Sequence, residues 1–236
     1  MLARLMLLGV TLLTMSACLM AAGKETKPAP ATTEETDLAK ELTKQGQTAE
    51  VEPGLAESAR ISVSIETATD AKLLALCKQP MLGKLDLRDA SKVTTAGFGY
   101  LKELPNLQTL LLCQGDISPA EALAISKLGS LTTLSLSGCK TTDIAVANFK
   151  RMKDLVEIDL TGTKLSEKGI EPLLELKKLQ RVNLSGTNAT DKMLPKWMVL
   201  EKLELLQVVG SKVTREGMDK AEEELKTSKR KLKIEW

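Results

Sequence analysis

From Leu82 onward, apolar residues recur along the chain at a fixed spacing. A triplet of the form L-x-x-L-x-L, with Ile or Val at some positions, recurs once after 25 residues and four times after 24. The triplets begin at Leu82, Leu107, Leu131, Leu155, Leu179 and Leu203. Apolar residues alternating with polar ones predict a short strand. Repetition at a fixed period predicts that the strands of successive repeats stack side by side.

A hydroxyl residue follows each triplet at nearly constant distance and predicts the start of a short helix. These residues are Thr94, Ser118, Thr142, Ser166, Thr190 and Thr214. Ser and Thr are favoured N-caps because their side-chain oxygen accepts a bond from a free backbone N–H. Apolar residues then fall on one helix face, as Val146, Phe149 and Met152 do after Thr142. The sequence therefore predicts an α/β solenoid whose unit is strand, turn, capped helix and return loop.

One repeat carries a family resemblance most clearly. The segment 155–170, LVEIDLTGTKLSEKGI, resembles the leucine-rich-repeat family, in its bacterial form L-x-x-L-x-L-x-G-T-x-x-T-D-x-G-L. The resemblance covers roughly residues 58 to 236. It implies a horseshoe with short parallel strands on the concave face and helices on the convex face. The buried Asn of many family members is replaced by other residues, so we expect hydroxyls to bond the backbone turn instead. The replacements are Gly115, Cys139, Thr163, Thr187 and Ser211.

The two ends of the repeat region depart from its pattern. Residues 58–81 resemble a degenerate first repeat, residues 82–214 hold the six regular repeat starts, and residues 215–236 form a predicted C-terminal cap. We expect the cap to consist of a charged helix and a last strand from Lys231 to Glu235. Solenoids need such ends because open sheet edges invite association.

The first 22 residues have the pattern of a signal peptide. Arg4 precedes an uncharged apolar run of eleven residues, 5–15, which is too short for a comfortable membrane span. The run ends in M-S-A-C, which resembles the bacterial lipobox and implies cleavage before Cys18 and a lipid on its thiol. Leu19, in place of Asp, resembles lipoproteins that are not retained at the inner membrane. We therefore expect an exported, membrane-anchored lipoprotein of the cell envelope, at the outer membrane or periplasmic face.

Two other fates of this segment remain open. Ordinary cleavage after Ala22 would release a soluble protein, and no cleavage would leave a single anchor. The following residues, 23–57, contain Pro and Gly, many Thr, Glu and Lys, and no aromatic residue. Such a composition predicts a disordered tether with a reach on the order of 30–35 Å. Within it, residues 37–45 could form a transient helix anchored by Leu38 and Leu42.

The amino-acid composition excludes several kinds of catalytic and metal-binding site. The chain has no histidine, which excludes Ser-His-Asp and Cys-His catalysis and the common His-containing zinc sites. Lys plus Arg number 33 and Asp plus Glu 31, so the charge balance does not indicate nucleic-acid binding. The four cysteines contain no C-x-x-C pair. We expect a protein that is not an enzyme and has no cofactor or metal. Whether Cys77, Cys113 and Cys139 form a disulfide is left open.

The outward strand positions are the candidate binding surface, because in leucine-rich-repeat proteins they line the concave face. Charged and amide residues there are our candidate partner-binding residues: Lys84, Asp86, Arg88, Glu157, Asp159, Arg181, Asn183, Glu204 and Gln207. They flank small residues at 132, 133, 135 and 137. Mixed charge around a strip of small residues suits a protein partner. We expect Glu157, Asp159 and Arg181 to form one charged patch that the fold does not need.

Three functional interpretations follow from this surface. The sequence favours an envelope-anchored module that binds a macromolecular partner, a protein, on its concave strand face. The first alternative is a passive structural lipoprotein without a defined partner. The second is a hydrolase using clustered acids, since Glu157 and Asp159 lie two residues apart on one strand face. Nothing near these two acids in the sequence indicates a pocket.

Overall fold

The computed structural model describes residues 31–44, 47–52, 59–228 and 230–236. The signal segment and Cys18 lie outside the described residues. Within these ranges, no helix is both long and apolar enough to cross a membrane.

Among the described residues, nine strands form one sheet in the order β1-β2-β3-β4-β6-β8-β9-β10-β11. All neighbours are parallel except β1, which is antiparallel to β2. A separate pair, β5 and β7, lies beyond the ends of β4 and β6 along the chain. The strands are β1 Thr48–Val51, β2 Ile61–Ile65, β3 Leu82–Leu87, β4 Thr109–Leu112, β5 Asp116–Ile117, β6 Thr133–Ser135, β7 Lys140–Thr141, β8 Glu157–Asp159, β9 Arg181–Asn183, β10 Leu205–Gln207 and β11 Lys233–Glu235.

The described part of the chain has eight α-helices, and from β2 onward they alternate with the strands of the large sheet. They are α1 Thr33–Lys44, α2 Asp70–Leu76, α3 Thr95–Tyr100, α4 Pro119–Ile125, α5 Asp143–Val146, α6 Glu167–Ile170, α7 Leu194–Trp197 and α8 Arg215–Ser228. Short 3-10 helices extend α3, α5 and α6 and precede α7: Leu101–Glu103, Ala147–Arg151, Glu171–Glu175 and Asp191–Met193. The chain is thus a mixed α/β protein with a parallel sheet and short helices.

Most of the predicted N-caps are confirmed. The hydroxyls of Thr94, Ser118, Thr142 and Ser166 each accept a backbone N–H in the first turn of their helix. Thr190 is the exception, because its hydroxyl donates to the Glu167 carboxylate of the preceding repeat instead.

The triplet residues form the core. Leu134, Ile158 and Val182 are direct partners across β6, β8 and β9, and all are buried. Each therefore packs against its own counterpart in the neighbouring repeat. A side-chain bond closes the turn after β8, where the Thr163 hydroxyl donates to the Leu160 carbonyl at 2.6 Å. Thr187 repeats this bond one repeat later, as expected for hydroxyls that replace the family's asparagine.

An acid at the start of several helices ties one repeat to the next. Asp143 accepts the backbone N–H of Ser166, the next N-cap, at 2.9 Å, and also accepts its hydroxyl. Asp70 and Asp191 do the same one repeat before Thr94 and Thr214. The acid leaves no room for a side chain in the next helix, since a Cβ on Gly169 would lie 2.3 Å from Asp143 Oδ1. This contact explains the glycine of the repeat pattern.

The expectation that residues 23–57 form a disordered tether does not hold over α1 and β1. Glu35 and Arg60 face each other at 3.8 Å with side chains only 2% and 5% exposed. Leu42 of α1 is buried in the core cluster. β1 adds hydrogen bonds to the edge of the sheet through β2. The physical reason is that α1 buries Leu42 and the Glu35 carboxylate against the first repeat. The polar composition of the segment gave no sign of this contact with the core.

The C-terminal end consists of α8 and β11. β11 pairs with β10 in parallel and so occupies the last edge position of the sheet. The Arg230 guanidinium donates to the carbonyl oxygens of Met198 and Leu200. It therefore fixes the chain between α8 and β11 against the preceding return loop.

Candidate binding face

The strand residues that alternate with the buried triplets form two rows on the sheet surface turned away from the core. We call this surface the open face. The strand register aligns the first row as Lys84, Thr109, Thr133, Glu157, Arg181, Leu205 and Lys233. It aligns the second row as Asp86, Leu111, Ser135, Asp159, Asn183, Gln207 and Glu235. The two-residue period of a strand places both rows on the same side.

At the N-terminal end of the open face, the charged candidates are already paired. Lys84 Nζ lies 2.8 Å from Glu52 Oε1 of the chain just after β1. Arg88 lies 3.4 Å from Glu66 and 3.7 Å from Asp86. Burial raises the pKa of the Asp86 carboxyl, although Arg88 opposes the shift. These groups neutralise one another, so little net charge is offered to a partner here.

At the C-terminal end, charges are also paired within the face. Arg181 Nε lies 3.4 Å from Glu157 Oε2, so the structure brings these two candidates together. The Gln207 amide donates to Glu235 at 2.8 Å, and Lys233 lies 2.5 Å from the same carboxylate. Gln207 is therefore held by a residue of the cap strand β11.

Asp159 has a role that the sequence did not reveal. Its Oδ1 accepts the backbone N–H of Thr161 at 2.9 Å and the Thr161 hydroxyl at 2.5 Å. Its Oδ2 accepts the Ser135 hydroxyl at 3.2 Å. Asn183 likewise accepts the N–H of Ser185 at 3.0 Å. Both side chains close the turn that ends their strand, and these bonds lead us to expect that Asp159 contributes to stability, unlike the free surface charge that the sequence suggested.

Glu204 lies off the two rows. It precedes β10, and the residue in register with Arg181 is Leu205. The backbone N–H of Glu204 donates to Gln180, and its carbonyl accepts from Lys233, so its backbone belongs to the ladder. Its side chain is exposed at the entry to the strand.

Between the charged ends lies a part of the open face without charged side chains. It comprises Thr109, Leu111, Cys113, Thr133, Ser135 and Ser137, on and just after β4 and β6. We call it the uncharged strip. Thr133, Ser135 and Ser137 were expected on this face from the sequence. Thr109 and Leu111, a half-buried leucine on the surface side of β4, were not. The fixed offset from the triplet at Leu107 was the signal that could have found them.

The chemistry of the thiols argues against a nucleophile. Burial, with the nearby Asp86 and Asp159 carboxylates, raises the pKa of the Cys113 thiol and keeps it protonated. Cys139 is buried, and burial raises its pKa to about 11. Cys77 donates to the Tyr100 carbonyl at 3.1 Å. Cys77, Cys113 and Cys139 are free thiols in the structure.

The two acids of β8 that were considered for hydrolysis are both engaged by neighbouring groups. The Glu157 carboxylate faces Arg181, and Asp159 is engaged in its turn. Across the described ranges, no three acids or cysteines group as metal ligands would. A groove of about 600 Å³ does open on the helix side, near Lys150 and Leu174, and not at these acids.

Comparison with known proteins supports the fold. No protein-family model matches the chain, and no curated protein matches it. The crystal structure of an internalin C2 from Listeria monocytogenes is similar, with a TM-score of 0.50 and 20% sequence identity. The match covers 65% of this chain and 72% of that chain. The likeness supports a leucine-rich-repeat solenoid, in agreement with the repeat pattern.

Proposed function

We propose that the chain is an interaction module and not a catalyst, and that its open face binds a protein partner. In the horseshoe that the family resemblance implies, this is the concave face. The observation that carries the proposal is the uncharged strip. It consists of partly exposed small side chains, the buried Ser135 and the half-buried Leu111, and it lies between two ends whose charges are internally paired.

The shape and chemistry of the strip favour a macromolecule. Small-molecule sites are concave pockets with a few convergent polar groups. The strip is instead a shallow surface of short side chains on strands about 4.8 Å apart. A protein surface can pack Leu111 and bond the hydroxyls of Thr133 and Ser137. The ion pairs at either end then form the polar rim that protein interfaces commonly have.

The charge pairing changes how the partner is recognised. The sequence alone favoured recognition by opposite charge, but Arg181 and Glu157 already satisfy each other. We therefore expect packing over the strip to supply the affinity. The charged ends then contribute register and a modest dependence of the association rate on salt.

Site-directed photo-crosslinking tests this proposal in the native envelope. A photoreactive phenylalanine analogue at Thr133 reports on the open face, and the same analogue at Ile144 reports on an exposed position of α5. We expect one discrete protein adduct from position 133 and none of that size from position 144. Adducts from 144 alone would place the site on the helix side. No adduct from either position would favour the passive structural alternative.

We also propose that a lipid on Cys18 holds the module at the membrane. The support is the lipobox-like M-S-A-C at the end of the apolar run. Metabolic labelling with a fatty-acid analogue should mark the wild type and not Cys18→Ser. Equal labelling of both would overturn the lipid anchor while leaving the binding face untouched.

A further inference from the structure

Exposed cations concentrate on one flank of the solenoid. In the large sheet, every strand from β2 to β11 runs in the same direction, so the loops that enter these strands lie along one flank. Three successive loops with the helix ends before them, residues 125–132, 149–156 and 173–180, carry six exposed cations and two acids. We call the six the basic patch: Lys127, Lys150, Arg151, Lys153, Lys177 and Lys178.

The two acids do not neutralise the basic patch. Asp154 pairs with Lys178 at 2.5 Å, and Glu175 lies 3.2 Å from Lys153. Lys150 is 4.0 Å from the same Glu175. Among the described residues, no acid lies within ion-pair distance of the three others. These are Lys127, Arg151 and Lys177.

Helix geometry alone does not explain the patch. Cations are favoured near helix C-termini because they interact with the helix dipole. The equivalent segments on either side, residues 101–108 and 197–204, end helices too. There Lys102 is matched by Glu103, and Lys202 is outnumbered by Glu201 and Glu204. The excess of positive charge is therefore local to three adjacent repeats.

We propose that the basic patch docks on the surface of a bilayer that contains anionic phospholipids. The three loops lead into strands that lie about 4.8 Å apart, so the cations fall within a short span on one side of the solenoid. Each lysine or arginine near an anionic bilayer strengthens binding by roughly fivefold. A groove of about 600 Å³ beside the patch has four lysines, two glutamates and Leu174 in its lining: Lys150, Lys153, Lys168, Lys177, Glu171 and Glu175 are the charged residues, so cations outnumber acids there. In this groove, lysine ammonium groups can bind the phosphate of a lipid headgroup, and Leu174 provides an apolar contact.

A bilayer fits this patch better than a nucleic acid. Single strands bind where aromatic side chains stack on bases. The only aromatic residue in the three segments, Phe149, is fully buried. The proposal is independent of the partner on the open face and of the lipid on Cys18. In a lipidated chain it would add the second signal that one acyl chain needs for stable anchoring.

The test measures co-sedimentation of the full, unlipidated chain with vesicles of phosphatidylcholine, with and without one third phosphatidylglycerol. The readout is the ratio of the two affinities, because binding through the N-terminal apolar segment contributes to both. Lys127→Gln, Arg151→Gln and Lys177→Gln together remove the unpaired cations. Lys140→Gln, Lys164→Gln and Lys192→Gln remove three exposed lysines from the opposite flank.

We expect the wild type to prefer anionic vesicles, and the preference to fall by at least about tenfold in the patch variant. The control variant should keep it, and raised salt should weaken it. Equal losses in both variants would show a net-charge effect and overturn the proposal. So would equal binding of the wild type to both vesicles, or displacement of the chain from vesicles by an equal charge of duplex DNA.

Discussion

The central repeats and the N-terminal end of the sheet are stabilised in different ways. In the repeats, a buried residue such as Ile158 packs against its counterparts 24 residues before and after it. At the N-terminal end, α1 is held by contacts that occur once, chiefly Glu35 with Arg60 and the burial of Leu42. Periodic contacts leave a signal in the sequence, whereas single contacts do not. The difference explains why one region was predicted and the other was not.

Arg60→Met tests whether the buried pair of Glu35 and Arg60 stabilises the N-terminal end, and we expect it to lower the free energy of unfolding more than the other substitutions do. It removes the guanidinium that faces the buried Glu35 carboxylate, which then keeps only neutral donors such as the backbone N–H of Thr32. Breaking a buried ion pair in this way destabilises by about 3–5 kcal/mol. Adding Glu35→Gln should recover much of the loss, because the uncompensated charge is removed. Denaturant melts of the single and double variants measure both effects. A loss below about 1 kcal/mol for Arg60→Met would mean that α1 does not depend on this pair.

Leu160→Ala tests the repeating region. Leu160 is fully buried and belongs to the triplet of β8, so truncation opens a cavity between stacked repeats. We expect a loss of about 2–5 kcal/mol in the free energy of unfolding. A loss as small as that of a surface substitution would mean that the strand faces are assigned the wrong way round.

Burial of the Cys139 thiol should make the free energy of unfolding of the protein fall at alkaline pH. Its pKa is raised from 9.0 to about 11 because the thiol is buried, so the native state holds its proton more tightly than the unfolded chain does. The stabilisation is complete below pH 9 and is lost as pH rises toward 11. We expect the wild type to lose about 2 kcal/mol more over this window than Cys139→Ala. Melts at pH 8.5 and 11 compare the two proteins, and parallel pH profiles would contradict the assignment.

Asp159 and Glu157 lie on the same strand, β8, but substituting them should change the free energy of unfolding by different, small amounts. Asp159→Ala removes the bonds that close the turn at Thr161, and we expect it to destabilise by about 1 kcal/mol. Glu157→Ala loses only a partly exposed ion pair with Arg181, so its effect should stay within about 0.5 kcal/mol. Urea denaturation resolves this difference. The reverse order would mean that Asp159 is a free surface charge.

The sequence predicted the repeat unit because its constraints recur. The triplets, the caps at Thr94, Ser118, Thr142 and Ser166, and the hydroxyls of Thr163 and Thr187 follow from local rules applied at a fixed period. Docking of α1 was not predictable in this way, since Glu35 is buried only because Arg60 meets it in the folded chain.

The candidate site was predicted in part. The rows of the open face follow from the strand period, which placed Lys84, Asp86 and Arg181 correctly. The roles of the side chains depend on cross-strand neighbours that composition does not specify. Asp159 therefore proved to be a turn residue, and Leu111 was overlooked.

We propose that the open face of the sheet binds the protein partner through the uncharged strip. The most direct test is the affinity of a crosslinked and purified partner for two matched variants. Leu111→Arg places a charge in the strip, whereas Ile144→Arg places one on the exposed surface of α5, where the wild-type side chain is 72% exposed. We predict that Leu111→Arg weakens binding by at least about a hundredfold, a change typical of disrupted interface centres. Ile144→Arg should leave the affinity unchanged. Full affinity in Leu111→Arg together with loss in Ile144→Arg would contradict the account and place the binding site on the helices.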